Sequence, residues 1–369
     1  MIPSFVGRPY RLANRHANAD IPCVHKTISA IRWSDSSIFE NHIVGVYEVD
    51  QAVITTAFTV ASASRKEVYL DTSYDFIEST YALSYSIDND ILNYVGDPGG
   101  IRLDGAAILI GGSPEDGNWF HWTLNWAPRL SLLAQLRPDL LTDPSIPIIF
   151  HEHVGRPPFT EYLSMFGIAR ERCVFLKTHE SLACDELYVP TFTSQMLYAK
   201  PYIADIAERC LRFAGVEDRR WAEGGTSFHL SRQNFLSARR RIANFDAVGP
   251  IFERHGIDLF VADGLSLAEQ VRTFANASTI VAVHGAGLAN IIFTPPGAAV
   301  VILDYKRHIE AGHTRMFVVL AEMMGHRPFV IACDEQVDGR ADEQAHHRDV
   351  LVNAAELDNV LARIAYSRR

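Results

Sequence analysis

A glycine-containing loop beside a histidine is the segment whose composition best suits anion chemistry. Residues 284–287 read HGAG; they follow an apolar stretch at 279–283 and precede a short helical pattern that ends in PPG at 295–297. Glycines between a strand and a helix allow backbone N–H groups to bind an anion, and parallel sheets bind ligands at such strand ends. The pattern predicts a phosphate-bearing ligand at His284, Gly285, Ala286 and Gly287. A purely structural turn has the same pattern.

Several arginines follow a second apolar segment. Residues 228–230 lead into Ser231 and Arg232, and a run of three arginines occupies 239–241. A guanidinium binds phosphate oxygens in a bidentate geometry and keeps its charge at neutral pH. In a chain with a net charge of −10, this cluster predicts a local anion site. We expect Arg232 and one or two of the run, with Arg240 and Arg241 preferred over Arg239, to bind the ligand, although a solvated loop is the alternative.

An aromatic-rich segment surrounds a histidine at 118–130, which reads NWFHWTLNWAPRL. A histidine titrates near neutral pH, so His121 could remove a proton from a hydroxyl group. Trp119 and Trp122 could form apolar walls facing a sugar. These residues are equally compatible with an aromatic core around a structural histidine.

No metal site is expected from the spacing of the acidic and histidine residues. His151-Glu152-His153 lacks the helical HExxH spacing, and neighbouring residues on a strand point to opposite faces. We therefore interpret this trio as a surface cluster at a strand end. The DND sequence at 88–90 lies in a polar turn without a phosphate-binding context.

Composition restricts the class of protein. A chain of 369 residues with 48% hydrophobic and 21% charged residues is typical of a globular enzyme with two domains. The negative charge argues against nucleic-acid binding. No apolar stretch reaches the ~20 residues of a membrane helix, and the N-terminus lacks a signal-peptide core. Five scattered cysteines without a CxxC pair fit reduced thiols, so we expect a cytoplasmic protein.

The hydrophobic pattern predicts an α/β protein. Strands are predicted through the first hundred residues, including 42–49 and 52–60, and strands alternate with helices from 106 onward, as in a parallel sheet. A closing amphipathic helix is expected at 349–364. The predicted domains are 1–205, an acceptor-side α/β domain with leading β strands; 206–345, a nucleotide-sugar-binding domain; and 346–369, the closing helix.

Three segments in order resemble glycosyltransferase family 61, which includes plant β-xylosyltransferases, O-GlcNAc-type transferases and bacterial capsular-polysaccharide proteins. They read NWFHWTLNWAPRL, SRQNFLSARRRIAN and GLSLAEQVRTFANASTIVAVHGAGLANIIFTPPGAAVVIL, and the resemblance covers about 105–305. It implies a GT-B fold, in which two Rossmann-like domains face a cleft. It also implies inverting, metal-independent transfer of a sugar from a nucleotide diphosphate donor, commonly UDP, to an acceptor hydroxyl.

The resemblance also assigns roles to individual residues. It places Asn118, Trp122 and Asn125 on the acceptor side, where His121 is the expected catalytic base. Donor binding falls to the anion-site residues already named, with Glu269, Gln270 and Asp304 added. The chain departs from the family pattern twice: Asn125 stands where a carboxylate is usual, which makes Asp104 and Asp116 alternative bases, and Ile302 replaces an acidic residue for which Asp304 could substitute.

We therefore predict a glycosyltransferase that acts in surface polysaccharide synthesis. Its partners would be a nucleotide-sugar donor and a glycan or glycolipid acceptor, without a metal or other cofactor and with peripheral association at the inner face of a membrane. Two alternatives stay open: a catalytically degenerate nucleotide- or glycan-binding scaffold, which the two departures favour, and a nucleotide-sugar epimerase, which would convert the donor alone.

Overall fold

A computed structural model of the chain describes residues 9–12, 46–54, 60–62, 67–69, 85–88, 91–94, 100–111, 117–177, 180–190, 200–217, 225–232, 240–336 and 348–367. The chain forms two compact units, Met1–Ile206 and Ala207–Arg369. Each unit contains a sheet with parallel strands, so the predicted α/β class is confirmed. No helix in the described part of the chain is long and apolar enough to cross a membrane.

The first unit is built on an eleven-stranded mixed sheet. Its strands are β1 (Pro9–Leu12), β2 (Val46–Ile54), β3 (Val60–Ser62), β4 (Glu67–Tyr69), β5 (Tyr85–Asp88), β6 (Ile91–Tyr94), β7 (Ile101–Arg102), β8 (Ala106–Leu109), β9 (Ile148–His151), β10 (Cys173–Leu176) and β11 (Leu182–Pro190). The order is β10-β9-β8-β11-β2-β3-β4-β1-β6-β5, and β7 pairs with β11. Strands β10, β9, β8 and β11 are mutually parallel, whereas β2 is antiparallel to β11.

One prediction about the leading strands is wrong. The segments at 42–49 and 52–60 were expected to be two strands, but a single strand, β2, joins residues 46–49 of the first to residues 52–54 of the second, and Val60 begins β3. Its ladder with β11 continues from Val46 to Ile54 past Gln51, which has a positive φ of 47°. The polar pair at 50–51 therefore forms an irregularity within one strand, because pairing with the long strand β11 outweighs the local turn preference.

The helices of the first unit follow the parallel strands. They are α1 (Trp119–His121), a π-helix (Trp122–Trp126), α2 (Ala127–Leu136), α3 (Pro138–Thr142), α4 (Phe159–Met165) and α5 (Lys200–Phe213), whose last residues belong to the second unit. All five π-helical residues are buried. A π-helix within an α-helix is rare and occurs often at functional sites.

The second unit has a six-stranded sheet, in which five strands are parallel. The strands are β12 (Thr226–Leu230), β13 (Asp258–Phe260), β14 (Ala277–Val283), β15 (Ala299–Tyr305), β16 (Arg327–Glu335) and β17 (Val350–Leu351). Their order is β13-β12-β14-β15-β16-β17, and only β17 runs antiparallel to its neighbour β16. Every residue of β14 and β15 is buried, as expected for central strands covered on both faces.

Helices connect these parallel strands, as in a doubly wound sheet. They are α6 (Phe245–Arg254), α7 (Leu267–Ala275), a 3₁₀-helix (Ala286–Phe293), α8 (Lys306–Glu310), α9 (Arg315–Met323) and α10 (Ala354–Tyr366). Leu357, Leu361 and Ile364 of α10 pack into the core against β15 and β16. The predicted closing helix starts too early: residues 350–351 form β17, and Asn353 caps α10 by accepting the Glu356 N–H at 3.1 Å.

Candidate functional site

Three neighbouring strands of the second unit bring their carboxyl ends to one edge of the sheet. Strand β12 leads into Ser231 and Arg232, and β14 leads into the 284–287 loop. Asp304 is the next-to-last residue of β15. Because these strands are parallel and adjacent, residues that are 50 or more positions apart in sequence become neighbours. Ligands bind at such carboxyl edges of α/β sheets.

Two arginines converge on the loop at this edge. The Arg232 guanidinium lies so close to Gly285 that a Cβ there would be 2.5 Å from Nη2, and the Arg240 Nη1 would be 3.6 Å away. Arg240 also donates from Nη1 to the His284 carbonyl oxygen at 2.9 Å. The backbone φ of Gly285 is 165°, which any residue adopts, so the glycine is needed for this close approach.

Arg240 reaches the loop from an unusual backbone conformation. Its φ of 65° lies in the left-handed region, which a residue with a Cβ adopts at a cost of about 1–3 kcal/mol. The hydrogen bond to His284 contributes to holding it there. Backbone strain of this kind occurs often at ligand-binding positions.

The two guanidiniums are held together against their mutual repulsion. Burial and the charge of Arg240 lower the pKa of Arg232 to about 10, while Asp263 and Tyr305 oppose the shift. Arg232 still carries its charge at neutral pH. A bound anion would relieve the repulsion between the two cations, so this edge of the sheet favours an anionic ligand.

Behind the loop, the Asp304 carboxylate is the centre of a hydrogen-bonded network. Oδ2 accepts from His284 Nδ1 at 2.6 Å and from the Thr314 hydroxyl at 2.6 Å. Oδ1 accepts from His308 Nδ1 at 2.9 Å and from the Tyr305 backbone N–H at 2.8 Å. Four hydrogen bonds occupy the lone pairs of the two oxygens, which leaves no acceptor for a ribose hydroxyl.

This network sets the charge of its members. Burial raises the pKa of Asp304, but the hydrogen bonds from His284, His308 and Thr314 lower it more, and the carboxyl stays ionised. Burial lowers the pKa of His284, and the hydrogen bond and charge of Asp304 only partly oppose this shift. His284 is therefore neutral in the free protein at neutral pH, with its proton on Nδ1.

One set of described residues has the composition of a metal site. Ligand atoms of His284, Asp304 and His308 lie within 4.8 Å of one another. However, each Asp304 oxygen already accepts two hydrogen bonds, and the charges of Arg232 and Arg240 nearby disfavour a cation. The geometry thus fits a hydrogen-bonded network better than a cation site.

The first unit contains a hydrogen bond between a histidine and an asparagine. His121 ends α1 and donates from Nδ1 to Oδ1 of Asn125 at 3.1 Å, one turn later in the π-helix. His121 is 6% exposed and Asn125 is 1% exposed. The amide oxygen fixes the tautomer that leaves Nε2 as a proton acceptor, which is the state required of a general base.

The family model Glycosyltransferase 61 matches residues 119–301, about half of the chain. The chain belongs to glycosyltransferase family 61. It is therefore a glycosyltransferase. The match begins beside His121 and includes Arg232, Arg240 and the 284–287 loop, whereas Asp304 lies three residues beyond its end. No curated protein matches the chain in sequence.

Within this family-61 chain, several residues predicted for the donor site lie elsewhere or have other partners. Arg241 pairs with Asp349 through Nη2 at 3.1 Å. Glu269 forms a capping box with Ser266 at the start of α7. Gln270 is buried and accepts the Asn290 amide at 3.0 Å, and Gly287 packs against Leu230. The structure thus brings together Arg232, Arg240, His284, Gly285 and Asp304 from the predicted set.

Two predicted acceptor-side residues have structural partners. Trp122 has no exposed surface and packs edge-on against Phe159 and Tyr162, so it cannot be a wall facing a sugar, which corrects the prediction. The Asn118 side chain accepts the Phe120 N–H at 3.0 Å and caps α1. Of the three tryptophans at 119–126, Trp119 is the half-buried one, so it can still contact a ligand.

One of the two alternative bases, Asp104, lies at the other end of its strand from His121. Asp104 is exposed and lies in the turn before β8, at the amino end of that strand, whereas His121 follows the carboxyl end. This position separates Asp104 from His121 by the length of a strand and excludes it as the base. Asp116 and Arg239 lie outside the described residues.

The prediction that residues 151–153 form a surface cluster is also corrected. His151 is fully buried at the end of β9, and burial lowers its pKa to about 4, so it is not a surface residue. A Cβ on Gly117 would lie 3.1 Å from the Cβ of His153, which places this cluster against the start of the His121 segment. Adjacent parallel strands β8 and β9 cause this contact, and the sequence alone gave no sign of it.

Proposed function

We propose that this glycosyltransferase moves a sugar from a nucleotide diphosphate donor, a UDP-sugar in the first instance, to a hydroxyl group of a glycan, with inversion and without a metal ion. The observation that carries the proposal is the convergence of Arg232 and Arg240 on the His284–Gly285 backbone at the carboxyl edge of a parallel sheet. Surface polysaccharide synthesis and the cleft between two Rossmann-like domains remain predictions from the resemblance, and a cytoplasmic location remains a prediction from composition.

The chemistry of the leaving group supports this assignment. A nucleotide diphosphate departs with negative charge on its phosphate oxygens, and a transferase that uses no metal must neutralise that charge with fixed donors. Two guanidiniums and the backbone N–H groups of a glycine loop supply such donors without reorganisation. Their existing mutual repulsion makes the site more favourable for a dianion than for a neutral ligand.

His121 is proposed as the base that accepts the proton of the attacking hydroxyl. Asn125 accepts its Nδ1–H, so Nε2 is the ring nitrogen that carries the basic lone pair. An amide cannot neutralise the imidazolium that forms, which distinguishes this site from one with a carboxylate partner. This difference is also what keeps the degenerate scaffold as the second candidate function.

Thermal shift with a panel of nucleoside diphosphates tests the donor site. Wild type, Arg232→Ala and the control Arg254→Ala are measured with UDP, GDP, CDP and ADP in EDTA. Arg254 ends α6 before β13 begins and thus lies at the opposite, amino edge of the same sheet. We expect one nucleotide to stabilise wild type and the control by about 2.7 kcal/mol at a hundredfold excess over Kd, and to have no effect on Arg232→Ala.

Other outcomes are equally informative. Stabilisation that persists in Arg232→Ala contradicts the assigned donor site. Stabilisation that EDTA abolishes contradicts metal independence. No response to any nucleotide favours the scaffold, and conversion of a UDP-sugar without an acceptor favours the epimerase.

A further inference from the structure

The Asp304 network fixes which nitrogen of His284 can meet a ligand at the proposed donor site. His284 lies in the loop against which both arginines pack, and its Nδ1–H is committed to Asp304 at 2.6 Å. The ring nitrogen left for a ligand is therefore Nε2. A neutral imidazole presents a lone pair there, which repels a phosphate oxygen, whereas an imidazolium presents an N–H donor.

We propose that His284 binds the donor diphosphate as an imidazolium, and that Asp304 is the positioning residue that allows His284 to take up this proton when the diphosphate binds. This proposal rests on the proposed donor site and deepens it. An acid in the solvent, hydronium or the protonated buffer, gives up a proton that adds to Nε2, while the Nδ1–H stays on the ring and remains hydrogen-bonded to Asp304. The new N–H bond is the bond formed, and the bond of that proton to the solvent acid is the bond broken.

The groups that face His284 account for the direction of the change. Burial, Arg240 and His308 oppose its protonation in the free protein, and Asp304 favours it. From α9, the Phe317 ring packs edge-on at 4.8 Å between centroids and carries no charge. A diphosphate adds two negative charges beside the two arginines. These charges offset the repulsion that the arginines exert on a protonated His284 and attract its positive charge directly, so the pKa of His284 rises when the diphosphate binds.

His308 and Thr314 fix the Asp304 carboxylate next to His284. They and the Tyr305 N–H donate to the carboxylate from three different places in the chain, α8, the start of α9 and the end of β15, and these bonds hold it beside His284. Asp304 has no exposed surface, and its charge is consequently little screened by solvent. A carboxylate that stabilises a neighbouring imidazolium in this manner resembles the aspartate of a hydrolase triad in its physical effect.

Calorimetry of UDP-glucose binding tests the proposal. The phosphate diester groups of this probe do not titrate near neutral pH, so any proton taken up belongs to the protein. Wild type, His284→Gln, Asp304→Asn and the control Asp358→Asn are titrated in EDTA, in two buffers of different ionisation enthalpy. Asp358 accepts from His255 at 2.7 Å, and His255 precedes β13, so this second His–Asp pair lies at the opposite edge of the sheet.

For wild type and Asp358→Asn, we expect proton uptake and an affinity that rises as pH falls, by up to tenfold per pH unit. His284→Gln should bind more weakly, without proton uptake and with no dependence on pH. Asp304→Asn should do the same; if it fails to fold, His284→Gln alone decides, since it leaves the carboxylate in place.

Two results would overturn this inference while leaving the donor site intact: heat of binding in wild type that is the same in both buffers, or proton uptake that persists in His284→Gln. Binding of UDP-glucose and UDP that is unaffected by Arg232→Ala would instead overturn the proposed donor site, and with it this inference.

Discussion

His121 and His284 have the same kind of bond but different partners. Each donates its Nδ1–H to a side-chain oxygen, Asn125 in the first unit and Asp304 in the second. An amide fixes the tautomer only, whereas a carboxylate also stabilises the positive charge of a protonated ring. His121 is therefore suited to accept a proton transiently, and His284 is suited to hold one while an anion is bound.

The largest expected effect in this comparison comes from removing His121. His121→Ala is expected to lower kcat by about 10²–10⁴-fold, since that is the usual contribution of a general base, and to leave the Kd for the donor nucleotide within about twofold. Turnover and nucleotide binding are measured on the same preparation. Unchanged turnover would remove His121 as the base.

His229 is a buried histidine with a carbonyl partner, and it should behave differently from both His121 and His284. His229 bonds to the Val281 carbonyl oxygen, and burial lowers its pKa from 6.5 to about 4. Its neutral form stabilises the fold fully above pH 6.5. As pH falls from 6.5 towards 4, the unfolded chain binds the proton that the folded chain excludes, so stability falls by up to about 1.4 kcal/mol per pH unit.

Urea unfolding at several pH values measures this loss. In His229→Gln, the free energy of unfolding should depend less on pH across this window, although its value at neutral pH is lower. An identical slope in wild type and His229→Gln would show that other groups, such as His151, control acid unfolding.

Exchanging the partner of His121 sharpens the comparison. Asn125→Asp places a carboxylate one turn from His121, which favours the imidazolium and should move the acid limb of the kcat profile up by about one pH unit. Asn125→Leu is the matched control, because it removes the hydrogen bond without adding charge. A profile that is the same in Asn125→Asp and wild type would mean that His121 does not titrate in the reaction.

Gly285→Ala tests the close approach in the second unit. Its Cβ would meet the tip of the Arg232 side chain at 2.5 Å, and a flexible side chain can move away, so the fold should survive. We expect the donor Kd to rise about tenfold, or ~1.4 kcal/mol, with little change in Tm. Gly249→Ala in α6, where a Cβ meets only ordinary contacts from Phe245, is the control.

The smallest effect is expected at Glu269, which the family resemblance placed at the nucleotide. Its carboxylate closes the capping box of α7 with Ser266, so Glu269→Ala should lower the Tm slightly and leave the donor Kd unchanged. A donor Kd that rises tenfold or more would return Glu269 to the nucleotide site.

Much of the second unit could be predicted because its pattern is local. Buried strands, capped helices and the glycine loop each occupy a few consecutive residues, and the apolar segments at 228–230 and 279–283 lie within β12 and β14. Helices α8 and α9 were not predicted, although Phe317 and Leu320 have helical spacing. The first hundred residues were harder, because the strand boundaries of β2 depend on its partner β11.

By itself, the sequence determined the α/β class, the family and the loop at which an anion is expected, since each depends on residue types at short spacing. Tertiary structure decided which arginines reach that loop, that Trp122 is core, and that Asp304 binds His284 and His308. These contacts join different strands and helices. Parallel pairing brings the ends of distant segments to one edge, and no local pattern encodes which side chains then meet.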